Sequence, residues 1–259
     1  MGNPEDARGR SVHSVDRAVA ILQVLGRLGA AGVTEIAAEV DVHKSTVSRL
    51  LGTLEARGLV EQSGSRGRYQ LGYGVVQIAA GVAGRHDLTV IGRPVCEELA
   101  RTVGETVNIT VLDGREVVSI GQVIGASAVT TVNWVGQRNP LHVTSAGKVF
   151  LSWLPPDQLE EVLSEGLQRY TEHTVVDPSE LRAQLADVRR RGYASTHDEY
   201  EIGLAAVAAP IRNADREVVA TVSVSGPTFR LTPTAVPDVA EHVMAAAAEI
   251  SERNGSPQP

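Results

Sequence analysis

Five basic side chains fall within "VHKSTVSRLLGTLEARGLVEQSGSRGRYQLG", residues 42–72, set against only Glu55 and Glu61. Placed on a helix over 44–57, this stretch sorts into two faces. Val47, Leu50, Leu51 and Leu54 recur at i, i+3, i+4 and i+7 and make an apolar stripe. Ser45, Ser48, Arg49 and Gly52 fall on the other side, with Lys44 and Thr46 in the first turn. A face that is short, polar and cationic can enter a major groove, where Arg reads guanine edges and Ser or Thr reaches bases or phosphates. Free backbone amides at the helix start favour a phosphate as well. Downstream, Arg66 and Arg68 stand among small residues in "SGSRGR", suited to backbone phosphate or the minor groove. Any solvated amphipathic helix has a polar outer face, so the surrounding elements must decide.

Other residues invite other chemistry. "TSAGK" (144–148) puts small residues and backbone amides at a helix start, a seat for a carboxylate. The same residues fit the S-x-x-K pattern, in which Lys148 would activate Ser145 as a hydrolase nucleophile, but neither S-D-N nor K-T-G follows. Ser223 and Ser225 alternate with Val222 and Val224, which turns both hydroxyls to one strand face. The seven histidines lack helical zinc spacing, although His142, His173 and His197 could converge through folding. "AGK" lacks the glycines of a phosphate loop. Cys96 is the only cysteine, which excludes an internal disulfide and a multi-cysteine zinc site; Glu97 and Glu98 beside it disfavour a thiolate, so it reads as structural. No catalytic residue, metal or cofactor is predicted.

Stepping outward, the elements assemble into an α+β chain. Ser14 would cap a first helix with Val15, Ala18, Val19, Leu22 and Leu25 inward, ended at Gly29 to Gly32. Thr34 would cap a short helix with Ile36, Ala37 and Val40 inward, and is counted with the DNA-contacting set. A tight turn over 41–43 leads into the basic helix, stopped by Gly58. Strands at 59–62 and 68–71 then form a hairpin. Helix, turn, helix and basic hairpin in that order make a winged helix-turn-helix the better reading. A helical connector follows over 74–84, then a helix from Asp87 to about Val103 carrying Pro94. Strands are predicted at 105–112, 115–123 and 127–134, the first two joined by the Asp113-Gly114 turn. Helices at 145–153, 156–164 and 178–191, strands at 204–211 and 217–225 and a last helix near 234–252 complete the plan. The predicted domains are 11–73, a linker at 74–90, and 91–254.

Charge supports this division. The chain of 259 residues carries net charge −7, yet residues 1–72 hold 9 basic and 8 acidic side chains against 15 and 23 in the remainder. The acidity that would repel DNA therefore lies in the second part. The polar N-terminus lacks a signal-peptide core, and no stretch approaches the ~18 apolar residues needed to span a bilayer, so a soluble cytoplasmic protein is expected, with no membrane partner.

"SVDRAVAILQVLG", the basic stretch with its flanks, "PLHVTSAGKVFLSWLP" and "RGYASTHDEYEIGLAAVAAPI…VVATVSVSGPTFRLT" resemble, in order and spacing, the IclR family of bacterial transcriptional regulators over about 14–251. Asp41 stands where the family usually has Gly, in a turn where Asp tolerates a left-handed backbone. The resemblance implies a GAF-like C-terminal domain with a mainly antiparallel sheet that binds a small effector, often an organic acid. It places Ser145, Ala146, Leu204, Ala206, Ser223 and Ser225 around that effector. Thr196 replaces the first position of an acidic run, and Ala206 replaces a cysteine present in some members. Both changes lead us to expect a carboxylate larger than a two- or three-carbon acid. One reading helix per protomer predicts a homodimer on a near-palindromic duplex operator; the resemblance extends to a dimer of dimers. A protein-interaction module without DNA binding is the alternative.

Overall fold

The computed structural model describes residues 12–64, 67–80, 88–127 and 133–255. The chain divides into two compact units, residues 1–85 and 86–259.

In the first unit, α1 (His13–Leu28) packs with α2 (Val33–Glu39) and α3 (Lys44–Ala56) around Ile21, Leu25, Ile36, Val47 and Leu51. The α1 core stripe is Ile21, Val24 and Leu25; Val15 and Val19, expected inward, are exposed. Ser14 lies within the first turn, where Val12 occupies the cap position without a side-chain bond. Thr34 likewise sits inside α2: the Glu35 carboxylate accepts from the Gly32 amide at 2.7 Å and satisfies the helix start in its place. Asp41 adopts φ +48°, the left-handed turn its side chain tolerates. A strand the sequence did not announce, β1 (Ala30–Gly32), joins β2 (Val60–Gln62) and β3 (Arg68–Leu71) in an antiparallel sheet of order β1-β3-β2. α4 (Tyr73–Ala80) follows. Gly72 and Gly74 are required there, because a Cβ on either would stand 2.4 and 2.7 Å from the Gly58 carbonyl oxygen. The predicted cap Asp87 and wing-tip Arg66 lie outside the described residues.

The second unit is built on a six-stranded sheet whose named strands all pair antiparallel, in the order β6-β5-β4-β9-β8-β7. Its strands are β4 (Thr106–Asp113), β5 (Glu116–Val123), β6 (Arg138–Pro140), β7 (Ala194–His197), β8 (Leu204–Arg212) and β9 (Val218–Pro227). α5 (Leu88–Val103) and α9 (Val236–Arg253) cover one face of this sheet over a core of Ile109, Val207, Val222, Val224 and Ile250. α6 (Ser145–Trp153), α7 (Pro156–Ser164) and α8 (Pro178–Arg191) share a second core with Val117, Ala194 and Ala208. The predicted strand at 127–134 falls mostly outside the described residues; the described edge strand is β6.

The start of α6 is fixed by contact with the loop before it. A Cβ on Gly147 would stand 2.1 Å from the Leu141 carbonyl oxygen. Gly147→Ala is therefore expected to cost about 2 kcal/mol or more through overpacking, seen as a lower Tm for the second unit's transition in calorimetry of the full chain. An unchanged Tm would contradict this account of α6.

Candidate functional site

The basic face of α3 is built as the periodicity requires. Val47, Leu51 and Leu54 are buried and Leu50 half-buried, while Lys44, Ser45, Ser48 and Arg49 are exposed and Thr46 is half-buried. His43, unnoticed in the sequence, caps the helix: its Nδ1 lies 3.3 Å from the Ser45 amide and 2.8 Å from the Ser45 hydroxyl. Among the described residues neither Lys44 nor Arg49 forms an ion pair, so both charges stay available to an anion. Nothing lies within 4 Å of the place a Cβ would take on Gly52, leaving the outer backbone open to close approach. Thr34 is exposed at the start of α2.

Arg68 is engaged differently from expectation. It donates to the Ala30 carbonyl oxygen at 2.6 Å and pairs with Glu35 at 3.0 Å, bracing β3 and β1 against α2. The Gly32 amide and Arg68 together hold the Glu35 carboxyl below the usual carboxylate range. The sequence missed this role because the acceptor sits on a three-residue strand it did not predict.

In the second unit, Ser145, Ala146, Thr196, Leu204, Ala206, Ser223 and Ser225 all line one cavity of about 90 Å³. Strand register brings them together. Thr196 pairs with Ala206 and Ala206 with Ser225 in one row, and Asn108 pairs with Ser223 in the next, so two neighbouring rows share one sheet face. α6 closes the cavity with its N-terminus: Thr144 caps it, accepting from the Gly147 amide at 3.0 Å. The Ser145 and Ala146 amides belong to the first turn, which has no intrahelical acceptors. Among the described residues, no charged side chain lines the cavity. Sequence reading missed its two asparagines. Asn108 donates to Ser225 Oγ at 3.5 Å, but its Oδ1 and that of Asn139 are buried without a hydrogen-bond partner. A buried acceptor left so costs about 1–3 kcal/mol, a deficit that a ligand with an O–H or N–H group would remove.

Lys148, weighed from the sequence only as an activator of Ser145, is buried behind this site. Its Nζ donates to both Glu199 carboxylate oxygens at 2.6 and 2.7 Å and to Gln184 Oε1 at 2.7 Å. Burial pulls the ammonium down and the carboxyl up in pKa, and their mutual attraction opposes both shifts. All three ammonium hydrogens are thereby used, and Lys148 is not the activator of Ser145 that the hydrolase reading needed. Tyr200, next to Glu199, lines the cavity, so the pair ties the helix start to the loop bounding the pocket.

His142, His197 and His173 each have local partners. His142 Nε2 donates to the Gln168 carbonyl oxygen at 2.8 Å, His197 lies 2.9 Å from Asp198, and His173 is exposed beside Glu172. Burial pushes the Cys96 thiol up to about 12.

A winged helix-turn-helix unit followed by a sensor-like antiparallel sheet bearing a small cavity is the architecture of a ligand-responsive DNA-binding regulator. Comparison with known proteins agrees. Residues 14–64 match the model of the IclR helix-turn-helix domain, and residues 80–252 match that of the bacterial transcriptional regulator IclR C-terminal domain. The HTH-type transcriptional repressor AllR of Klebsiella pneumoniae is 35% identical over 98% of this chain and 94% of its own. The transcriptional repressor IclR of Escherichia coli (strain K12) is 33% identical over 93% and 89%. An IclR homolog from Microbacterium hydrocarbonoxydans, solved with 4-hydroxybenzoate, superposes with TM-score 0.79 at 27% identity over 93% of this chain and 98% of that one. The chain belongs to the IclR family of bacterial transcriptional regulators. Its relatives are transcriptional repressors rather than enzymes. No helix among the described residues is long and apolar enough to cross a membrane.

Removing one partner of a buried pair strands the other charge. Lys148→Met is expected to cost about 3–5 kcal/mol in denaturant unfolding, and Lys148→Met with Glu199→Leu clearly less. Additive losses would show that the two side chains do not depend on each other.

Proposed function

We propose that this protein represses transcription as a homodimer that reads a two-fold operator with α3 and releases or tightens its hold when a carboxylate occupies the sheet cavity. The observation that carries the DNA-reading part is the unpaired, exposed Lys44–Ser48–Arg49 face in a unit that lacks the acidity of the rest of the chain. Arg49 reads base edges, Lys44, Ser45, Thr46 and Thr34 hold phosphates, and Arg66 at the wing tip contacts the flanking backbone, while Arg68 braces the wing. Exposed Val12, Val15 and Val19 on α1, and Tyr73, Val76 and Ile78 on α4, offer apolar surface for a second copy, which supports the dimer. A protein-interaction module would need no such unpaired cations.

For the effector, the α6 amides of Ser145 and Ala146 with the Ser223 and Ser225 hydroxyls form a neutral donor set for a carboxylate. The cavity of about 90 Å³ corresponds to the liquid volume of about three waters, and the small side chain of Ala206 on its lining favours an acid larger than two or three carbons over a smaller one. Asn108 and Asn139 favour a hydroxyl or amino group at its other end. The homolog that holds 4-hydroxybenzoate points to a ligand of that kind. Occupancy then alters how the segment 74–90 spaces the two reading heads.

With a duplex selected from a random pool, about four to eight phosphate contacts per dimer give a log–log salt slope of roughly −4 to −7. Arg49→Ala should relax base preference, and Arg66→Ala should weaken all sequences alike. A flat salt response would favour the interaction module. Ser223→Ala with Ser225→Ala should lower the affinity for 4-hydroxybenzoate about tenfold or more, read from Trp134 emission, and leave DNA affinity without ligand unchanged. Undiminished ligand affinity in that variant would remove the two serines from the site.

A further inference from the structure

Most arginines of the second unit are matched by carboxylates, with one cluster excepted. Nine of its thirteen arginines have a carboxylate partner, and Arg169 donates to the carbonyl oxygens of Thr171, Glu172 and Thr174. The remaining three, Arg189, Arg212 and Arg216, form no ion pair among the described residues, and all three line a single groove of about 500 Å³. Its walls come from the end of α8, from β8 with the turn after it, and from α9. Among the described residues Glu252 is the one carboxylate on its lining, against three arginines.

The arginines are positioned rather than loose. Arg189 donates through Nε to the Ser152 carbonyl oxygen, and Arg212 donates to the Arg216 carbonyl oxygen at 2.8 Å. The Arg212 guanidinium lies 4.8 Å from the centre of the Trp153 ring. Each guanidinium has five N–H donors, so most remain uncommitted. Burial lowers the pKa of Arg212 with no carboxylate opposing it, leaving a desolvated cation uncompensated. Beside the arginines the lining includes apolar Ala209, Pro210, Met244, Ala247 and Ala248. The volume is within the range of small-molecule sites, and none of its lining residues belongs to the sheet cavity.

We infer that this groove is a second ligand site, which takes a small organic anion with a planar or apolar body, its carboxylate or sulfonate held by Arg189, Arg212 and Arg216 and its body lying on the apolar lining beside Trp153. Two arginines facing one carboxylate supply charge-assisted bonds that an uncharged analogue cannot make.

The chain's two tryptophans make the test direct, because Trp134 lines the sheet cavity and Trp153 the groove. In full-length protein carrying Trp134→Phe, benzoate or 1-naphthoate should change Trp153 emission saturably, with benzamide at least about tenfold weaker. Arg189→Gln with Arg216→Gln should weaken the carboxylates about tenfold or more, and Arg216→Lys should retain most of the binding. In the complementary Trp153→Phe protein, the double arginine substitution should leave the Trp134 response unchanged. A silent Trp134 with a responsive Trp153 would sink the cavity reading and spare this one. Flat Trp153 emission, an equal response to benzamide, or a double variant that changes only the association state would overturn the groove proposal, the last marking a contact between chains.

Discussion

Lys148 is the point on which the second unit turns. Its ammonium is almost wholly withdrawn from water, and it remains there because two carboxylate oxygens and one amide oxygen use all three of its hydrogens. Those contacts join the first turn of α6 to Gln184 on α8 and to Glu199, whose backbone carbonyl accepts from Thr174 at 2.7 Å. Gly147, pressed against Leu141, fixes the same turn from the other side. The α6 amides can aim into the sheet cavity because this turn has little freedom to move. On the proposed reading, a pocket whose described lining is uncharged, bounded by a locked helix start, would discriminate ligands by shape and hydrogen bonding.

Across the chain, the proposed nucleic-acid face coincides with positive charge that is left unpaired. Most surface arginines are matched by nearby carboxylates, pairs that contribute little stability but remove free positive charge. Lys44 and Arg49 on α3 are not matched, and they stand on the outer face of a helix-turn-helix in the less acidic unit. Arg68 shows the converse: a cation close in sequence to the wing tip is used internally, by Glu35 and Ala30.

Much of this was legible in the residues. α6, α7 and α8 match their predicted limits because each begins at a clear start signal, Thr144 or Asp177 as cap and Pro156 or Pro178 in the first turn, before a regular apolar repeat. The period-two alternation around Ser223 and Ser225 was enough to place both hydroxyls on one face. What escaped depended on partners distant in sequence. β1 and β7 are three and four residues long and exist through pairing with β3 and β8. Glu35 displaced Thr34 from the expected capping role because a carboxylate can reach back to Gly32. Lys148 and Glu199 are 51 positions apart, and Asn108 on its strand looks like any polar residue that alternates outward. The exposed Val15 and Val19 misled the periodicity of α1, since an apolar face open to solvent reads like one turned to the core.

The account's central claim is that cavity occupancy and operator affinity are thermodynamically linked. Fluorescence anisotropy of a selected duplex, titrated with full-length protein with and without 4-hydroxybenzoate while Trp134 emission reports cavity occupancy, measures that linkage. The account predicts a change in operator affinity of about fivefold or more at saturation, since coupling free energies of 1–3 kcal/mol are typical. A cavity shown to be filled with operator affinity unmoved would contradict it.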